Sequence, residues 1–144
     1  DKIQWLTASR IRRVRARLSF EAPGHPDIEG SAAVLLETDD GTACTVNLWG
    51  YEGIRREETE LLFTGGMIRI LNHKGLWISR QGEYVEVPVD AGADPFELQL
   101  SDLADCIRRG RQPYASAQYG RTVVRAIEAI YASHASGREV EIAD

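Results

Sequence analysis

The sequence predicts an α+β fold: a largely antiparallel, open-faced sheet of about seven or eight strands, with helices packed on one face. Three observations predict it. Residues 11–20 alternate strictly, with Val14, Ala16, Leu18 and Phe20 facing one way and Arg13, Arg15, Arg17 and Ser19 the other. Short strand-like runs then follow one another across turn signals, among them Asp39-Asp40-Gly41, Gly65-Gly66 and Gln81-Gly82. Finally, two stretches of helical period come late, after most of the strands, which is the order of a helix-covered antiparallel sheet rather than of alternating βαβ units.

In chain order, D-K-I-Q-W-L at residues 1–6 reads as the tail of a helix. Strands are expected at 11–20, 28–38 and 42–49, the last two joined by the Asp-Asp-Gly turn. After a polar, glycine-marked stretch, 59–63 pairs with 67–71 and 76–79 with 84–89. Asp94 is a good N-cap, Pro95 suits the first helical position, and Glu97 completes a capping box. Phe96, Leu100, Leu103 and Ile107 form one apolar stripe, so Leu103 is expected to be buried. Arg108 and Arg109 complement the helix dipole, and Gly110 ends the helix. The second helix carries Tyr119, Val123, Ala126, Ile127 and Ile130 on one side; Gly137 ends it before a short closing strand at Val140 and Ile142.

The chain has 144 residues, 43% hydrophobic and 27% charged, with a net charge of −5. That length suits one domain with one core. Mild acidity argues against a general nucleic-acid binder. No apolar run approaches the roughly 20 residues of a membrane span, and no signal peptide is recognised, so a cytoplasmic protein is expected. Cys44 and Cys106 lack metal or redox spacing, which fits a reducing compartment and buried, unreactive thiols. Asp1 opens the chain in what reads as mid-helix without an initiator Met, as in a piece cut from a longer protein.

The chemistry-bearing residues are few. His25, His73 and His134 are scattered and show no metal-ligand spacing, so no metal site is expected. His134 is expected to pack or to cap the end of its helix, where a positive charge is favoured. Gly65-Gly66 and Gly50/Gly53 do not match G-x-G-x-x-G and read as turn glycines between strands. Asp102 and Asp105 read as a solvated helix face. The arginine stripe is either a phosphate-binding ladder or a solvated or interface face with cross-strand carboxylates such as Glu29 and Glu37; the acidic net charge favours the second. Asn47, Trp49 and Tyr51 offer an aromatic face beside an amide, the combination a carbohydrate pocket uses.

The ordered pattern F-x-x-x-(L)-x-D-L-x-D-x-I-R-x-G-R-x-P, then A-I-x-A-I-Y-x-S-x-x-S-G-R-x-V-x-I, resembles the C-terminal domain of the Gfo/Idh/MocA oxidoreductases. The resemblance runs over nearly the whole chain. It implies a substrate-side and oligomerisation domain of an NAD(P)-dependent dehydrogenase of a sugar, inositol or related polyol, with NAD or NADP bound in the full-length parent and none by this fragment. The nucleotide-binding domain and the E-K-P lysine would lie in the other half. D-K-I-Q-W-L matches the end of the family's H-x-x-D-x-x-x-(W/Y)-L pattern, which places the catalytic His three residues before Asp1 and leaves no catalytic residue in this chain. His and Asp three apart share a helix face, so Asp1 would reach substrate hydroxyls. The family also implies a homo-oligomer, dimer or tetramer, through the open sheet, here expected at Arg13, Arg15, Arg17, Glu29, Leu35 and Glu37. The alternative is a stand-alone α+β binding or assembly domain without catalysis.

Overall fold

The computed structural model describes residues 1–21, 24–50, 56–72, 74–90 and 92–143. The element order is α1 (Lys2–Thr7), β1 (Ile11–Ser19), β2 (Ser31–Thr38), β3 (Ala43–Trp49), β4 (Glu58–Phe63), β5 (Gly66–Leu71), β6 (Gly75–Arg80), β7 (Glu83–Val87), α2 (Pro95–Arg109), α3 (Ala117–Ser136) and β8 (Val140–Glu141). The α+β class and the strand number are as expected. The eight strands form two four-stranded antiparallel sheets, ordered β3-β2-β1-β8 and β4-β5-β6-β7. The chain divides accordingly into two compact units, Asp1–Glu52 with Arg111–Asp144, and Gly53–Gly110.

In the first unit, the alternation of β1 is realised as two faces. Val14, Ala16, Val34 and Leu36 are buried in one cluster with Ile11 and with Ala126 and Ala129 of α3. Val14 is fully buried, as a β-branched residue on the inner face of a central strand should be. The buried positions of α3 are Ala126, Ala129 and Ser133, with Ile130 packed alongside. That face is rotated by roughly a fifth of a turn from the expected one: Ala126 and Ile130 stay on it, while Ile127 is exposed. Small residues at the contact let the helix backbone approach the sheet, so size rather than hydropathy sets which face turns inward.

The hairpin at Asp39-Asp40-Gly41 forms as expected. Gly41 takes φ 84°, its N–H reaches the Thr38 carbonyl at 2.9 Å, and the buried Thr38 hydroxyl donates to the Asp40 carboxylate.

β8 pairs only with Arg13 and Val14 of β1. Beyond it, the open edge of β1 is satisfied by side chains of α3. Ala16 N–H donates to Ser133 Oγ at 2.9 Å, and Leu18 N–H donates to His134 Nδ1 at 3.1 Å. Ser133 Oγ in turn donates to the Arg138 carbonyl at 2.6 Å, which ties the chain after the Gly137 cap to the same edge. A strand edge so capped cannot template another strand. His134 thus takes the packing role, one of the two expected of it, with its ring tilted against Phe20, centroids 5.7 Å apart.

In the second unit, β5 lies inside the sheet, and Arg69 pairs with Glu60 at 2.7 Å and Glu58 at 3.0 Å while lying over the Tyr84 ring at 4.3 Å. α2 is capped as expected: the Asp94 carboxylate accepts from the N–H groups of Phe96 and Glu97, and Gly110 closes the helix. Its stripe is the correction. Phe96, Leu100, Leu103 and Ile107 are all exposed, Leu103 by 47%. The buried residue is Cys106, about a quarter-turn away. Periodicity fixes which residues share a helix face; it does not say that a partner covers it.

Candidate functional site

Two groups of polar residues in the first unit are candidates, on opposite sides of its sheet. The first surrounds Asp1. Asp1 occupies the N-cap position of α1 without a capping bond from its side chain. Its carboxylate instead accepts a 2.7 Å hydrogen bond from Tyr119, at the start of α3. Tyr119 stacks at a tilt on Tyr114, ring centres 5.1 Å apart. Burial, and then the neighbouring Tyr114, push the Tyr119 phenol above its ordinary pKa, so it stays a donor. One turn into α1, Gln4 is buried and fully used: its Oε1 accepts from Ile11 N–H at 3.1 Å and its Nε2 donates to Thr122 at 2.9 Å. Gln4 thus locks α1 to both β1 and α3, and Tyr119 fixes the Asp1 carboxylate on that scaffold.

Tyr119, Tyr114 and Gln4 were not foreseen as site residues. Gln4 had a signal, a polar residue between Ile3 and Trp5 in a helical run. Tyr119 had none, because a tyrosine on an apolar stripe reads as core.

The second group lies on the sheet face opposite α3. Register places Arg13 beside Glu37, Arg15 beside Leu35, and Arg17 beside Ala33; Ala33 in turn faces Asn47, Leu35 faces Thr45, and Ser31 faces Trp49. Leu35 and Trp49 are exposed by 49% and 68%. Asn47 and Trp49 therefore share the arginine face, and the sheet separates them from Asp1. Tyr51 lies outside the described residues, as do Gly53 and His73.

Glu29 also departs from its expected grouping. Its carboxylate accepts at 2.9 Å from Tyr131 of α3, which packs on the other face. Arg13 pairs with Glu37 at 3.2 Å, the cross-strand pair the register predicts.

The remaining described groups stand as follows. Burial, and then the Asp40 carboxylate, raise the Cys44 thiol pKa, which removes thiolate character. The Cys106 thiol is buried against Asp102 at 3.8 Å, and Asp105 pairs with Arg108 and Arg109 along α2. Among the described residues, no three His, Cys, Asp or Glu side chains are grouped to hold a metal ion. The Gly65-Gly66 turn joins β4 to β5, so its N–H groups do not open a helix and do not fit a dinucleotide pyrophosphate. No helix of the described residues is long and apolar enough to cross a membrane.

No family model matches the sequence, and no curated protein matches it significantly. Solved structures do match. An aldose-aldose oxidoreductase from Caulobacter crescentus, complexed with glycerol, superposes with a TM-score of 0.82 at 22% identity, over 96% of this chain and 43% of that one. An oxidoreductase from Agrobacterium radiobacter, in complex with NAD+, L-tartaric acid and magnesium, gives 0.78 at 19% identity, over 98% and 46%. The WlbA dehydrogenase from Bordetella pertussis, in complex with NADH and UDP-GlcNAcA, gives 0.73 at 19% identity, over 99% and 41%. This chain spans less than half the length of each of the three. What is shared at such identities is the fold.

Proposed function

We propose that this chain is the C-terminal, substrate-side domain of an NAD(P)-dependent oxidoreductase of the Gfo/Idh/MocA family, acting on a sugar, inositol or related polyol. The observation that carries the reading is the fold match: nearly all of this chain corresponds to under half of enzymes whose structures hold NAD(H) and, in one, a sugar nucleotide. The motifs at residues 96–113 and 126–142 support it independently. In the parent, hydride would pass between the substrate carbon and the nicotinamide, and the lysine and histidine of the other half would handle the hydroxyl proton.

Within this chain, Asp1 is the residue we place at the substrate, with Tyr119 and Gln4 holding it. Asp1 is exposed, and Tyr119 occupies one carboxylate oxygen, which leaves the other for a substrate hydroxyl. Asn47 and Trp49, across the sheet, group instead with Arg13, Arg15, Arg17, Leu35 and Glu37 as the surface through which copies associate. Exposed Leu35 and Trp49 beside charged neighbours suit such a contact. The 144-residue chain alone is inactive in this reading, and its two free cysteines suit a reducing, cytoplasmic setting.

The test is to express the chain with its upstream reading frame and follow NAD+ and NADP+ reduction with a panel of sugars and inositols. Turnover that falls sharply in Asp1→Ala, with the fold intact, supports the reading. An upstream sequence without a dinucleotide-binding fold would exclude it.

A further inference from the structure

The arginine stripe was expected to find carboxylates across the strands, and only part of it does. Arg13 pairs with Glu37, and Arg12 pairs with Glu141 at 3.1 Å. Glu29 is taken up by Tyr131. Arg15 and Arg17 stand opposite Leu35 and Ala33, and neither has an ion-pair or hydrogen-bond partner among the described residues. In a chain of net charge −5, two adjacent exposed arginines have thus been left unneutralised on one face. Residues two apart on a strand project to the same side, about 6.6 Å from one another, so the two cations repel until something negative lies between them.

The surroundings give that anion a seat. Ala33 has almost no side chain, and the dip above it is an open, shallow concavity of about 340 Å³ lined by Arg15, Arg17, Ala33, Leu35, Thr45 and Asn47 and reaching Gly137 at the end of α3. Asn47 lies directly across from Ala33, and Thr45 across from Leu35, so an amide and a hydroxyl border the hollow on the side away from the arginines. Two guanidiniums on one wall and neutral donors on the other match a doubly charged tetrahedral oxyanion, whose several oxygens accept from both sides.

We infer that this hollow is a binding site for a phosphoryl dianion, held by Arg15 and Arg17 and oriented by Asn47 and Thr45. The inference rests on charge and register within the first unit and does not depend on the enzymatic reading. It also bears on self-association: two copies meeting face to face would bring four unpaired arginines together, and bound dianions would neutralise them.

The test is an NMR titration of the 144-residue chain with inorganic phosphate, at a dilution where sedimentation gives the monomer, against chloride at matched ionic strength. The expected result is saturable shifts of the Asn47 side-chain amide and of the Ala33 and Leu35 backbone amides with phosphate alone. Arg15→Ala and Arg17→Ala should each weaken binding by at least about tenfold, the loss of a charge-assisted hydrogen bond. Arg13→Ala, whose side chain is already paired, should change it by less than about twofold. Arg15→Gln and Arg17→Gln repeat the test with the side-chain bulk retained. Shifts that chloride reproduces, or an Arg13→Ala loss as large as that of Arg15→Ala, would overturn the inference.

Discussion

Ser133 shows what one hydroxyl does in this fold. It accepts from the edge of β1 and donates to the Arg138 carbonyl, with no solvent exposure. Ser133→Ala leaves a buried N–H and a carbonyl without partners and should cost about 1–3 kcal/mol in urea unfolding. A loss within experimental error would mean that water replaces the hydroxyl. Asp40 makes a pH prediction. The Thr38 hydroxyl first, and the Thr42 N–H next, hold its carboxyl below the ordinary range. A carboxyl that is more acidic when folded stabilises the fold above its unfolded pKa, and that contribution is lost as pH falls through the folded value. Thr38→Val should move the Asp40 titration, followed by carboxyl NMR, upward. An unchanged titration would show that the turn backbone alone sets it. Asp40 was legible in the sequence as a turn residue, because D-G at a hairpin has a local cause. Ser133, inside S-x-x-S-G-R, was legible only as a motif position, because its partners lie 117 residues away at Ala16 and after the helix at Arg138.

At the scale of elements, what the sequence displayed best was what local physics decides. The alternation of β1, the capping of α2 by Asp94 and the stop at Gly110 all stand where residue types placed them. Burial was not local. Leu36 and Leu103 look alike in a periodic pattern, yet Leu36 is 3% exposed between strands and α3, while Leu103 is half-exposed. Leu36→Ala should cost about 2–5 kcal/mol, and Leu103→Ala within about 0.5 kcal/mol, as for a surface position. Chemical denaturation of both variants checks this; equal losses would show that α2 is covered in solution. The site suffered from the same limit. Neighbours along β3 put Asn47 and Trp49 in one group, but only the register showed that Asp1 and its partner Tyr119 lie across the sheet from them.

For the whole molecule, the face bearing Leu35 and Trp49 is the one proposed to meet a second copy, and a stable contact needs at least about 1,000 Å² in total. Leu35→Asp, at an exposed site, should leave the fold intact and shift sedimentation of the full-length protein toward monomer; an unchanged oligomer would move the interface elsewhere.

The central claim, a substrate-side domain whose Asp1 faces the substrate, is tested most directly by steady-state kinetics of the chain joined to its upstream sequence. Nicotinamide reduction is followed with the best polyol or sugar found, in wild type, Asp1→Asn and Tyr119→Phe. The account predicts no turnover by the 144-residue chain alone and turnover by the joined protein. It also predicts a loss of kcat/KM of at least about tenfold in Asp1→Asn, as expected for a charged hydrogen bond to substrate. Tyr119→Phe should lose less, because it only orients the carboxylate. Full activity in Asp1→Asn, or dehydrogenase activity in the isolated chain, would contradict it.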